Sequence, residues 1–98
     1  MPWFIKRETL RCSGSEMRQT IAEHHDWVNR LRAAGVSISS GYLVDGQGTP
    51  GGGGLLLLQA SDYRSAEALI LQDPMVRSGQ VDWQLHQWVS VAGQLNAT

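Results

Sequence analysis

A single cysteine, Cys12, leaves the chain without any internal disulfide, so its fold requires no oxidising compartment. Cys12 itself reads as a small apolar strand residue rather than a nucleophile. Long apolar runs are also missing. Leu55 to Leu58 falls far short of the roughly 20 residues that cross a bilayer, so no membrane association is expected. Nor is there an excess of one charge. Eight Lys and Arg face nine Asp and Glu, a net charge of −1, and the basic residues are interspersed with acids. That balance provides no footprint for nucleic acid. The opening Met-Pro-Trp-Phe-Ile-Lys-Arg-Glu reaches charge too early for a signal peptide, and a cytoplasmic location is expected. The three histidines and one cysteine lack metal-ligand spacing, so neither metal nor cofactor is implied.

The 98 residues fit one domain, with a core over about residues 3–91 and a frayed tail over 92–98. Trp3 to Cys12 is rich in β-favouring residues and reads as a strand. Ser13 and Glu16 have capping-box spacing ahead of a helix from Glu16 to Ala34, and Gly35 supplies its left-handed cap. Val36 to Val44 forms a second strand. A flexible, glycine-rich connection runs to Gly53, and a third strand follows over Gly54 to Ala60. The Gly51–Gly54 run lacks the lysine of a phosphate loop and precedes a strand, so it reads as a hairpin loop. Ser61 or Asp62 caps a second helix through Tyr63, Ala66, Leu69 and Ile70, which Asp73-Pro74 ends. Val81 to Val91 is the fourth strand. The order βαββαβ predicts a ferredoxin-like α+β fold, a four-stranded antiparallel sheet with both helices on one face.

That architecture leaves one sheet face bare, yet the third strand is apolar at every position from Leu55 to Leu58. A half-solvated antiparallel strand alternates instead. Trp88 opposes Trp83 and Leu85 in parity, and Trp3 and Ile5 oppose Phe4. A second copy covering the bare face predicts a homodimer, since an uncovered patch of that size is a liability.

The first helix carries an apolar stripe of Met17, Ile21, Val28 and Leu31, and His24 falls within it. On the second helix, Asp73 continues the row of Tyr63, Ala66 and Ile70 to a helix C-terminus, where the dipole opposes a carboxylate. Two compensations are available: a hydrogen bond from a backbone N–H beyond Pro74, or His24. An Asp–His pair would fix the imidazole tautomer and make His24 a general base. His86 reads as a structural or surface strand residue.

His24-x-x-Trp27-x-x-x-Leu31-x-x-x-Gly35, Ser40-Gly41, Ala66 to Ile70, Asp73-Pro74, Gly79 and Trp88 occur in the order and spacing of the YciI-like (YCII) family, which the chain resembles from Trp3 to Val91. The resemblance implies a dimeric α+β barrel with a catalytic His–Asp pair. It selects His24, eleven residues before Gly35, over His25, and Asp73 of Asp-Pro. Trp27, Gly41 and Tyr42 are expected to line the substrate pocket, although Tyr42 stands where the family usually has proline. The implied function is a small-molecule enzyme with lyase-like or dehydrochlorinase-like proton transfer. The alternative is a non-catalytic dimeric module that binds a metabolite or supports another protein.

Overall fold

In the computed structural model, which describes residues 1–94, four strands form one antiparallel sheet: β1 (Trp3–Leu10), β2 (Ile38–Val44), β3 (Pro50–Gln59) and β4 (Val81–Trp88). Their spatial order is β2-β3-β1-β4, the ferredoxin-like arrangement. Three helices, α1 (Arg18–Ala33), α2 (Tyr63–Ile70) and the short α3 (Pro74–Arg77), complete the fold.

Period-two alternation sorts the sheet into two faces. Phe4 of β1, Leu56 and Leu58 of β3, Leu85 of β4 and Ile38 of β2 face the helices. There they form the core with Trp27 and Val28 of α1 and Ala66 and Ile70 of α2. Leu56 and Leu58 are fully enclosed, and burying each contributes about 1.5–3 kcal/mol. The opposite face carries Trp3 opposed to Trp88 and Ile5 opposed to Leu57. The four consecutive leucines therefore divide between the two faces. A second cluster of Met17, Met75 and Val81 closes one end, with Cys12 packed against it.

Several boundaries differ from the sequence reading, each for a local reason. Ser13 Oγ accepts a hydrogen bond from the Glu16 N–H, but it caps a 3₁₀ turn over Gly14–Met17 that precedes α1. Gly35, at φ +96°, ends α1 as expected. β2 starts at Ile38 rather than Val36, and β4 ends at Trp88, leaving Val89 and Val91 exposed. The expected tail passes out of the described residues after Gln94. α2 ends at Ile70, and Asp73 opens a separate helix, α3, with Pro74 at its first position.

The largest correction concerns the glycines. Gly51 to Gly53 belong to β3 rather than to a flexible connection, and the turn is a tight one over Asp45–Thr49. The Asp45 side chain holds that turn by accepting from the N–H groups of Gln47 and Thr49. At Gly53 the backbone has φ +85°, and an added Cβ would lie 2.2 Å from the Glu8 carbonyl oxygen. At Gly54 a Cβ would meet the Glu8 side chain at 3.1 Å. Two bare residues thus let β3 approach β1 where Glu8 needs room. Gly53→Ala is expected to lower stability by about 1–3 kcal/mol, read as an earlier urea midpoint at unchanged slope.

Candidate active site

β1 faces the core with Phe4, Lys6 and Glu8, so a lysine stands in the middle of the buried side of a central strand. Lys6 is 1% exposed and Asp73 is fully buried. Lys6 Nζ donates to Asp73 Oδ2 at 2.5 Å and to Glu8 Oε1 at 2.5 Å. Asp73 Oδ1 accepts from the Met75 N–H at 2.9 Å as the N-cap of α3, and lies 2.7 Å from His24 Nδ1. Both compensations that the sequence left open for Asp73 are therefore made at once. The opposing dipole expected there is absent, because Asp73 stands at the N-terminus of α3, where a negative charge is favoured.

Burial pushes the Asp73 carboxyl upward, but the His24 hydrogen bond and the charge and hydrogen bond of Lys6 outweigh it. The group is held below its ordinary value of 3.8 and stays ionised. A carboxylate can only accept, so His24 Nδ1 donates to it. In the neutral imidazole the lone pair then sits on Nε2, 2.7 Å from Ser40 Oγ, whose hydroxyl donates to it. His24 is 6% exposed, and its ring packs against Trp27 at a centroid distance of 5.7 Å.

Ser40 is exposed on the edge strand β2 and lines an open groove of about 460 Å³ between that strand and α1. His25, Val28, Asn29, Arg32, Ile38 and Ser39 complete the groove. Its one fully charged side chain is Arg32. Among the described residues no group of three or more His, Cys, Asp or Glu is arranged to hold a metal ion.

The structure thus brings His24 and Asp73 into contact. Trp27 is buried in the core against His24, with its Nε1 unpartnered among the described residues. Gly41 pairs with Leu55 on the sheet face away from the helices. Tyr42 is 73% exposed, two positions beyond Ser40. None of these three is among the groove residues. Sequence reasoning missed Lys6, Glu8 and the role of Ser40. The signal for the first two was the period-two series Phe4, Lys6, Glu8, which puts both charges on the buried side.

The sequence profile of the YCII-related domain matches residues 3–88. The chain belongs to that family. No curated protein matches by sequence. Among solved structures, the YCII-domain chain is similar to the 5-chloro-2-hydroxyhydroquinone dehydrochlorinase TftG of Burkholderia phenoliruptrix AC1100, solved with 2,5-dihydroxybenzoquinone. The TM-score is 0.70 at 20% identity, over 89% of this chain and 93% of that one. Muconolactone isomerase aligns at a TM-score of 0.66 and 11% identity, over 98% and 97%. A dimeric ferredoxin-like protein from an uncultured marine organism aligns at 0.55 and 17%, over 96% and 100%. At these identities the likeness establishes a shared fold. Among the described residues no helix is long and apolar enough to cross a membrane.

Removing Lys6 strands one fully buried and one part-buried carboxylate beside each other. Lys6→Met is expected to cost about 3–5 kcal/mol in chemical denaturation. The lowered Asp73 value also fixes the sign of one pH effect. Asp73 contributes its stability above the ordinary carboxylate value, and loses it as pH falls through its lower folded value. Acid unfolding should therefore lose part of its steepness below about pH 4 in Asp73→Asn, followed by circular dichroism.

Proposed function

We propose that this YCII-domain protein is an enzyme that moves a proton on a small organic molecule, with His24 Nε2 as the base and Asp73 as the group that orients it. The observation that carries the reading is the Nδ1–carboxylate contact at full burial, with the opposite ring nitrogen reaching the groove through Ser40. An ionised Asp73 stabilises the imidazolium that forms when Nε2 takes a proton. Lys6 keeps Asp73 ionised without entering the groove.

The chemistry this supports is removal of a C–H proton made acidic by a neighbouring carbonyl or enol. The C–H electron pair becomes a new double bond. In an elimination it expels a leaving group such as chloride and the proton passes to solvent; in an isomerisation the imidazolium returns the proton to another carbon. A dehydrochlorinase and an isomerase stand among proteins of the same fold, which favours this class over a non-catalytic module. Trp27 supports His24 from the core, and Gly41 and Tyr42 follow Ser40 along β2, outside the groove lining.

The working form in this reading is a homodimer packed through the face bearing Trp3, Ile5, Leu55, Leu57 and Trp88. In support, Trp88 is 44% exposed in the single chain, and one protein of the same fold is dimeric. Leu57→Asp should convert the dimer to monomers in sedimentation.

The site test uses 2,5-dihydroxybenzoquinone in D₂O as the probe, followed by loss of its ring C–H signal. The native protein should accelerate exchange, and His24→Asn should slow it by about 10²–10⁴-fold while sedimentation stays unchanged. Equal exchange rates for the two proteins would overturn the assignment of His24.

A further inference from the structure

Ser40 links the groove to more than a base. Ser40 Oγ, His24 and Asp73 form an unbroken chain, with 2.7 Å from Oγ to Nε2 and 2.7 Å from Nδ1 to Oδ1. Ser40 is an exposed residue and the far carboxylate is fully buried. This is the relation of nucleophile, base and orienting carboxylate that activates a serine, recognised by geometry rather than by order along the chain. A serine serving only to satisfy the imidazole would not need to stand at the mouth of a groove.

The backbone adds a second feature. The Gln59 N–H donates to the Ser37 carbonyl at 2.9 Å, so Ser37 is in a hydrogen-bonded pair with β3. Antiparallel pairs alternate, so Ser39 and Gly41 also bond inward, and the N–H of Ser40 points out of the sheet. Because β2 is the edge strand, no other strand takes that N–H. Ser40 therefore turns its hydroxyl to the helix face, where it meets His24 Nε2, and its amide N–H out from the free edge of the sheet, so that one residue carries both the nucleophile and a donor for an oxyanion formed there. Asn29 and Arg32 line the same groove and add donors for a carbonyl or carboxylate on the substrate.

We propose that Ser40 is a nucleophile, and that this site cleaves small carboxylic esters by acyl transfer. Ser40 Oγ bonds to the ester carbonyl carbon, the carbonyl π pair moves onto oxygen, and the Oγ proton passes to His24 Nε2. Collapse re-forms the carbonyl and breaks the bond to the leaving oxygen, which takes the proton from Nε2. Water repeats the sequence on the acyl-serine, releasing the acid and restoring the hydroxyl. The same imidazole nitrogen thus serves proton abstraction from carbon and from Ser40.

The probe is p-nitrophenyl acetate, with the full chain as it stands. Nitrophenolate should appear in an initial burst of about one per chain. Mass spectrometry after rapid acid quench should place the acetyl group on the peptide carrying Ser40. Ser40→Ala, a change at an exposed position, should abolish both burst and adduct with an unchanged circular dichroism spectrum. His24→Asn should slow acylation by about 10³-fold or more. Ser40→Cys should restore an adduct at position 40. A burst that survives in Ser40→Ala, an acetyl group found only on lysine or histidine, or no acetylation of the native chain would each overturn the proposal. Deuterium exchange on the quinone probe reads the proton-abstraction role of His24 separately.

Discussion

A carboxylate with no exposure to water must be surrounded by donors, and the site is built around that requirement at Asp73. Lys6 comes from the central strand β1, the Met75 N–H from the first turn of α3, and the His24 Nδ1–H from the middle of α1. Each donor belongs to a different element, so the packing of helices on the sheet is also what assembles the charge cluster. Loss of any one donor leaves the others around an undercompensated charge. The price of the arrangement is a lysine where an aliphatic side chain would pack, and Gly54 is part of it, since it leaves room for the second carboxylate that Lys6 holds, while Gly53 makes room for the Glu8 backbone carbonyl.

This polar knot decides which nitrogen of His24 is available. With Nδ1 committed to the buried side, Nε2 is directed to β2, where Ser40 joins the core to a groove open to solvent. Core and groove have different jobs. One fixes an ionisation state and a tautomer, and the other admits a molecule beside Ser40, which is bonded to the nitrogen so prepared. Proton abstraction from carbon and activation of a serine both require that division.

Much of the fold was legible because its cues are local. The stripe of α1, Gly35 and the parity of the strands all follow from spacing. The position of His24 within an apolar stripe marked it before any contact was known, and family resemblance separated it from His25. What escaped the sequence depends on tertiary context. Nothing in Asp73-Pro74 alone tells the end of one helix from the start of another, and α3 is only four residues long. Gly51 to Gly53 have the composition of a loop, and only pairing with β2, together with the close passage of β1 at Gly53, makes them strand. In the sequence Lys6 is one of the basic residues interspersed with acids. Its burial makes sense only when Asp73 and Glu8 are brought to it across 67 and two positions of sequence.

The YCII-related family and the fold shared with a dehydrochlorinase and an isomerase give the YCII domain a setting for small-molecule chemistry, while the tautomer of His24 gives that chemistry a direction. Nitrogen-15 NMR of the imidazole at neutral pH tests that claim most directly. The account predicts that the neutral form of the ring carries its proton on Nδ1, with Nε2 unprotonated, and loses that preference in Asp73→Asn. A neutral ring with its proton on Nε2 in the native protein would contradict it.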